Sequence, residues 1–135
     1  MTGESVPFVL IPRFTSYVGE GTYTTLALDV TAYSGARLEF WRGKLLGFVD
    51  TMPVATFEAT FEEANQADAP EAAWTGIGAV IDTPDDNDLV SLEFTKRYFR
   101  VRIVLVDSSA NRVALTCWAA GNLVRRIAAA TPDQE

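Results

Sequence analysis

Alternation of apolar and polar residues restricts the fold of this chain more than any other feature. In VATFEATFEE (54–63), alanine or phenylalanine alternates with threonine or glutamate over most of the stretch. In FTKRYFRVRIVLV (94–106), an apolar series alternates with Tyr98, Arg100 and Arg102. Successive side chains of a β-strand point to opposite faces, so both stretches are predicted to be half-buried antiparallel strands.

Weaker alternation and turn residues divide the rest of the chain into further short strands. Apolar runs predict strands near 8–14, 22–30, 36–42, 45–50, 77–82, 89–94 and 112–120. The turn-forming sequences are VGEG at 18–21, YSG at 33–35, TPDDND at 83–88 and DSSAN at 107–111. This pattern predicts an all-β fold, an antiparallel β-sandwich or jelly roll of about seven or eight strands. Residues 1–135 are expected to form a single domain, with 1–7 and 122–135 as arms that contact neighbouring molecules.

The amino-acid inventory excludes several classes of catalytic site. Histidine is absent, which removes imidazole-activated nucleophiles, histidine-ligated zinc and histidine general acid–base catalysis. The only cysteine, Cys117, excludes an internal disulfide framework, and its setting in VALTCWAAG favours a small buried hydrophobe over a nucleophile. The sequence therefore predicts a protein that is not an enzyme and that needs no cofactor.

The sequence also argues against a membrane or a nucleic acid as a partner. MTGESVPFVLIPRF lacks the features of a secretory signal, and no apolar stretch approaches the roughly 18 residues that a spanning helix needs. Tyr98, Arg100 and Arg102 loosely resemble a nucleic-acid-binding strand. However, the net charge of -7 means that the long-range field of the protein repels phosphate.

The acidic turn DTPDDND could supply oxygen ligands to calcium through Asp82, Asp85, Asp86 and Asp88. It lacks the glycine and the distal glutamate of an EF-hand loop. Aspartate and proline are also typical of a hairpin connection, so no metal site is predicted and calcium is kept as an alternative.

Acidic and basic residues are segregated along the chain. Nine acids and no base lie from Glu58 to Asp88, whereas Phe94 to Arg126 contains seven bases and one acid. The two segments either neutralise each other across neighbouring strands or lie on different faces, where they favour head-to-tail packing of identical copies. The sequence leaves both arrangements open.

The three tryptophans are candidates for a contact surface. Trp41 and Trp118 lie in apolar strands, where core packing is the usual role. Both faces of 112–120 are largely apolar, however, so this strand is expected to be covered on both sides by its own fold or by another subunit. Trp74 ends EEANQADAPEAAW (62–74), which predicts a loop with one helical turn, and it is the best exposed candidate for stacking on a ligand.

The order of these features resembles a known group of proteins. LALDVTAYSG, LEFWRGKLLG, ATFEATFEEAN, FTKRYFRVRIVL and VALTCWAAGNL follow one another within Thr22 to Leu123. This succession is similar to that of small β-sandwich virion proteins encoded by tailed bacteriophages and related elements. In that group a D-V-S-A-Y-like turn, a DG..W turn and a strand with an R-Y-x-R-V-R core follow in order. The chain departs from the pattern at ANQADAPEAAW, where a longer acidic loop replaces the compact Asp-Gly turn.

The resemblance implies a structural or accessory virion role, most simply that of a capsid decoration or head-surface subunit present in many copies. The implied partners are the major capsid protein, other virion proteins and further copies of the chain. The implied location is the virion, after assembly in the bacterial host cytoplasm. Arg100 and Arg102 are expected to face acidic residues of a neighbour. The full set of candidate partner-binding residues is Tyr98, Arg100, Arg102, Trp118, Arg125 and Arg126.

A second function is open from the sequence, that of a carbohydrate-binding module of galactose-binding-like form. In this alternative Trp74 or Tyr98 stacks on a sugar ring, and residues 82–88 hold calcium. The two functions can coexist on one surface module.

Overall fold

The computed structural model describes residues 5–47, 55–107 and 113–125. Over these residues the protein consists almost entirely of β-strands joined by short turns. The strands are β1 (Ser5–Val18), β2 (Gly21–Thr24), β3 (Leu28–Asp29), β4 (Tyr33–Arg42), β5 (Leu46–Gly47), β6 (Ala55–Ala64), β7 (Thr75–Ile81), β8 (Asp86–Glu93), β9 (Tyr98–Asp107) and β10 (Val113–Arg125). One turn of 3-10 helix, Glu71–Ala73, precedes β7. Within the described ranges, no helix has the length and apolarity that crossing a bilayer requires.

The strands form two antiparallel sheets that enclose one core. Sheet A has the order β1-β10-β4-β8, with β5 beside β10, and sheet B has the order β2-β9-β6-β7, with β3 beside β9. When the two-residue strands β3 and β5 are set aside, the first strand pairs with the last and the second with the seventh. The third pairs with the sixth and the fourth with the fifth. This nesting is the jelly-roll arrangement, so the predicted all-β sandwich is confirmed.

The core lies between the inner faces of the two sheets and contains the apolar series that the alternation selects. Phe57 and Phe61 of β6 and Phe99 of β9 are almost completely buried. The ring of Phe61 lies 5.9 Å from that of Phe40 on sheet A and 6.0 Å from that of Phe99. Burial of each large apolar side chain stabilises the fold by about 1.5–3 kcal/mol, so these rings hold the two sheets together.

Most predicted strands are present, and several are longer than predicted because pairing continues beyond the apolar centre of each run. The segment 22–30 is divided into β2 and β3. The predicted turn at 33–35 instead begins β4, since Gly35 lets β4 approach β8 closely. A Cβ atom at Gly35 would lie only 2.2 Å from the carbonyl oxygen of Leu92. Of the predicted strand 45–50, only Leu46–Gly47 is a strand among the described residues.

The two stretches predicted as arms, 1–7 and 122–135, pair with each other where the structure describes them. Residues 5–7 of β1 lie opposite residues 122–124 of β10 in antiparallel register. These residues are therefore part of sheet A and are not arms. Arg125 ends β10 opposite Tyr33 of β4, and residues 1–4 and 126–135 lie outside the described residues.

Candidate interaction surfaces

The basic strand β9 contributes to a charged cluster on the outer face of sheet B. Arg100 lies opposite Glu62 of β6, and its side chain is only 10% exposed. Its Nε donates to Glu62 Oε1 at 3.0 Å, and its Nη2 donates to both carboxylate oxygens of Glu71 at 3.0 and 2.6 Å. Arg102 Nε donates to Glu62 Oε2 at 2.8 Å. Glu62 is thus held between two guanidinium groups. Arg100, Arg102, Glu62 and Glu71, together with Trp74, are called the Arg100 cluster below.

Trp74 covers this cluster. The guanidinium carbon of Arg100 lies 4.1 Å from the centroid of the indole ring, and the indole Nε1 donates to the carbonyl of Ala69 at 3.0 Å. Trp74 is only 7% exposed, so the prediction that it is the best exposed tryptophan is wrong. The loop before it folds back on β9, where the ring gains a cation and its N–H gains an acceptor.

Arg100 and Arg102 therefore meet acidic groups of their own chain. Both lie on the outer face of sheet B, as alternation predicts. Arg100 is nevertheless shielded from solvent, because Trp74 lies over it. For these residues the acidic and basic segments neutralise each other across neighbouring strands, one of the two arrangements that the sequence left open. The sequence held one signal of this: Glu62 lies on the polar side of the alternation in β6, as Arg100 and Arg102 do in β9. A role for Arg100 and Arg102 in binding a partner stays a prediction.

Glu63 is a buried polar group whose structural role the sequence pattern does not predict. It is buried, and its Oε1 accepts hydrogen bonds from the backbone amides of Thr95 and Lys96 at 2.9 and 3.0 Å. Its Oε2 accepts from the hydroxyl of Thr95 at 2.6 Å. Three donors satisfy this carboxylate, so Glu63 anchors the turn that leads into the basic strand.

Tyr98 begins β9 opposite Asp29 and is half-buried. The guanidinium carbon of Arg97 lies 5.3 Å from the Tyr98 ring centroid, and its Nη2 lies 3.6 Å from Asp29. Hydrogen bonds from the hydroxyl and amide of Thr31 are the main cause that lowers the pKa of Asp29, and the charge of Arg97 lowers it further. The charges next to Tyr98 are thus paired locally.

The remaining candidate partner-binding residues belong to β10 or follow it. Arg125 lies with its guanidinium carbon 5.2 Å from the ring centroid of Tyr33. Arg126 lies outside the described residues. Trp118 lies on the outer face of sheet A, where the guanidinium carbon of Arg13 is 4.6 Å from its ring centroid. The structure therefore does not bring Trp118 together with Arg100 and Arg102, which lie on the other sheet.

The outer face of sheet A carries Trp118 beside Trp41, its cross-strand neighbour on β4. Trp41 is 36% exposed, so the core-packing role predicted for it is wrong. Over the described residues, six of the nine exposed large hydrophobic side chains belong to sheet A. They are Val9, Phe14, Val18, Trp41, Leu46 and Leu89. The second apolar face of β10 therefore lies on a sheet surface where large apolar side chains remain exposed to solvent.

Two adjoining depressions on this face form one shallow trough, called the sheet A trough below. The trough crosses the sheet from β1 to β8. Its floor includes two small residues beside a carboxylate, and each end has a large apolar side chain. The residues that line it include Glu39, Ala120 and Gly121 along the shared floor, Val9 and Trp118 at one end, and Arg37 and Leu89 at the other.

A bulge in β1 borders the trough. The register with β10 shifts between Ile11 and Thr15, so the intervening residues lie outside the regular ladder. Phe14 in this bulge is 90% exposed, and its φ of 65° places it in the left-handed region that favours glycine. A bulky aromatic residue in this conformation is uncommon, and such residues concentrate at sites of function.

The acidic turn holds a buried arginine. The side chain of Arg42 is fully buried, and its Nη1 donates to Asp88 Oδ2 at 2.7 Å while its Nε donates to the carbonyl of Thr83 at 2.9 Å. Its Nη2 lies 3.9 Å from Asp86 Oδ2. Two of the four proposed calcium ligands thus face a cation of the protein. In the part of the chain that the structure describes, which includes this whole turn, no group of three or more acidic, histidine or cysteine side chains is arranged to hold a metal ion.

Cys117 lies on the inner face of β10, opposite Arg42 in the ladder, and is completely buried. Burial raises the pKa of Cys117 to about 12, although the nearby charge of Arg42 acts in the opposite direction. The thiol is therefore protonated at neutral pH, and the predicted role of a small buried hydrophobe is confirmed.

No family model and no curated protein sequence matches this chain. The fold is similar to that of a chain in the structure of the infectious bursal disease virus Gx strain, with a TM-score of 0.51 and 12% sequence identity. The similarity covers 91% of this chain and 32% of that chain, so the protein spans about a third of the length of its structural neighbour. At this identity the similarity shows the fold alone.

Proposed function

We propose that this chain is a structural subunit of a virus particle, specifically a decoration or accessory protein on the head surface of a tailed-phage-like particle. In this proposal the chain is present in many copies and acts by binding other particle proteins. Its role is structural and not catalytic.

The observation that carries the proposal is the jelly-roll nesting of the eight longer strands. Double-sheet jelly rolls recur in viral capsid domains and in lectins. The similarity of fold to a chain of a virus structure favours the first of these uses. The resemblance between Thr22 and Leu123 and the virion proteins of tailed phages supports the narrower assignment to a decoration or accessory subunit.

The distribution of exposed apolar residues gives further support. Contiguous apolar surface on a soluble domain is typical of a protein-contact site, whereas single exposed apolar residues are ordinary. Most of the exposed large apolar side chains lie on sheet A, where Trp118 is located. On sheet B, Trp74 lies over the charged side chain of Arg100. The outer face of sheet A is therefore the surface that we expect to bind other particle proteins.

The proposal is tested by separating particles from the native source on a density gradient and quantifying this chain by mass spectrometry across the fractions. We expect it to travel with the particles at a fixed ratio to the major shell protein, and to remain after a high-salt wash that removes adsorbed proteins. A chain that stays with the small soluble proteins at the top of the gradient would contradict the proposal.

The carbohydrate-binding alternative is not proposed further. Its main stacking residue, Trp74, is buried on Arg100. Its calcium turn directs Asp86 and Asp88 toward Arg42.

A further inference from the structure

We infer that the outer face of sheet A binds a second copy of this chain, so that two molecules pack face to face about a two-fold axis. A second copy of the chain is thus the partner that we assign to the face described above. The existence of this dimer does not depend on the proposed function. Only the use of the dimer in a particle rests on the proposed function.

Exposed apolar side chains are unevenly distributed between the two sheets. Leu89 is 86% exposed at one end of the sheet A trough and Val9 is 59% exposed at the other, where Trp118 lies beside Trp41 of the neighbouring strand. This arrangement spans all four long strands of the sheet, whereas the outward side chains of sheet B include the paired charges of the Arg100 cluster. Exposed large apolar side chains are thus concentrated on sheet A.

The outer face of sheet A is complementary to itself in charge. Arg37 is exposed and forms no ion pair with any residue that the structure describes, while Glu39, two positions along β4, faces the same side and accepts a hydrogen bond from the side-chain amide of Asn87. In a two-fold contact, a residue of one copy that touches a second residue of the partner is matched by the same contact with the two copies exchanged. A face that carries both a cation and a carboxylate can therefore pair Arg37 of each copy with Glu39 of the other. Two chains of net charge -7 repel each other at long range. A face whose opposite charges pair across the contact is therefore favoured over faces that bring like charges together.

The area of this face follows from the length and number of its strands. Outward residues of β10 extend from Ala114 to Val124, and four strands lie side by side. With a rise of about 3.3 Å per residue and a spacing of about 4.8 Å between strands, the face measures roughly 33 by 19 Å, or about 600 Å² in projection. The accessible area of a surface covered by side chains exceeds its projection, and a stable interface takes about 800 Å² from each partner. The face therefore has the size that a stable dimer needs.

Phe14 is the residue that this contact explains best. Its ring is 90% exposed, and its backbone is in a conformation that glycine would adopt more easily. The Phe14 side chain thus packs little within its own molecule, and its backbone conformation is unfavourable for a residue with a Cβ atom. In the dimer the ring would enter the partner's sheet A trough, where the small residues Ala120 and Gly121 leave space on the floor.

The test measures the mass of the purified full-length chain by sedimentation equilibrium over a wide range of concentrations. The chain offers a matched pair of variants, because Leu89 and Leu26 are 86% and 87% exposed and only Leu89 lies on sheet A. We expect the wild type to dimerise, Leu89→Glu to weaken the dimer at least ~100-fold, and Leu26→Glu to leave it unchanged, since an unpaired charge is costly only inside the contact.

A second variant covers the case in which Leu89→Glu folds poorly. Phe14→Gly relieves the left-handed backbone, so its thermal unfolding temperature should not fall, while its dimer should weaken at least ~10-fold. A wild type that is monomeric at every concentration would overturn the inference, even if the chain is found on particles. Equal weakening by Leu26→Glu and Leu89→Glu would also overturn it.

Two other occupants of the face give distinct results. In the first case the wild type is monomeric and Leu89→Glu lowers its stability far more than Leu26→Glu does. That result would indicate that a segment of the same chain, outside the described residues, covers the face. A monomer that binds an isolated shell protein through Leu89 would assign the face to that protein. Either result would overturn the dimer. A dimer formed by a chain that is absent from particles would contradict the proposed function and leave this inference standing.

Discussion

Removing the charge of Glu62 is expected to destabilise the protein far more than removing that of Glu71, although both carboxylates bind Arg100. The side chain of Glu62 is 6% exposed, whereas that of Glu71 is 65% exposed. Breaking a buried ion pair by removing one partner costs about 3–5 kcal/mol, and a hydrogen bond to a charged group contributes about 1.5–3 kcal/mol. Glutamine keeps the shape and one acceptor oxygen, so we expect Glu62→Gln to lower the free energy of unfolding by about 3 kcal/mol. Glu71→Gln should cost under about 1 kcal/mol, as expected for a surface pair.

The comparison uses urea unfolding followed by tryptophan fluorescence and by far-UV circular dichroism. Trp74 reports directly on the cluster because its ring lies on Arg100. In a domain of this size about 1 kcal/mol shifts the melting temperature by roughly 4 °C, so Glu62→Gln should melt about 10 °C lower than the wild type. High salt should reduce the effect of Glu71→Gln more than that of Glu62→Gln, because exposed pairs are screened. Equal losses for the two variants, or a larger loss for Glu71→Gln, would refute the argument that burial determines the strength of these pairs.

Two further predictions concern β10. Because burial raises the pKa of Cys117 from 9.0 to about 12, the folded state favours the protonated thiol; the resulting stabilisation is complete below pH 9 and is lost as the pH rises toward 12. Between neutral pH and pH 10, the free energy of unfolding should fall by about 1 kcal/mol more in the wild type than in Cys117→Ala, and parallel pH profiles in urea titrations would contradict this. Gly121→Ala should cost about 3 kcal/mol in thermal unfolding, since its Cβ atom would lie 2.1 Å from the carbonyl oxygen of Arg37 in the neighbouring strand. Gly76→Ala is the matched control, because the nearest neighbour of its Cβ atom would be the methyl group of Thr60 at 3.2 Å. A similar loss in both variants would show that the close approach of β4 and β10 is not the cause.

The parts of the fold that the sequence predicts correctly are those set by neighbouring residues. The period of two in β6 and β9 is a local property of an extended chain, so the inward positions of Phe57, Phe61 and Phe99 follow from the sequence. Burial of Cys117 follows in the same way from its apolar neighbours. The division into two nested sheets does not follow, because each pairing joins segments far apart along the chain.

The features that sequence reasoning missed depend on such distant contacts. Trp74 follows a polar loop and looks exposed, but the loop returns to Arg100 on a strand that lies across the sheet. Arg42 ends an apolar strand and looks like a surface residue, but its register places it inward, where the acidic turn supplies a carboxylate. The backbone angle of Phe14 arises from a register shift that only the paired strands reveal.

The nested pairing of strands also sets an order for folding during synthesis. The innermost pair, β6 with β7, is complete while most of the second half of the chain has still to be made, whereas Ser5 of β1 must wait for Val124 of β10. At about 5–20 residues per second, that delay is roughly 6–24 s, in which the first strand has no partner. Sheet A is therefore the last part of the molecule to close, and its outer face exists only once β10 has been inserted between β1 and β4. An unfinished chain consequently lacks this face, so any contact made through it requires the completed fold.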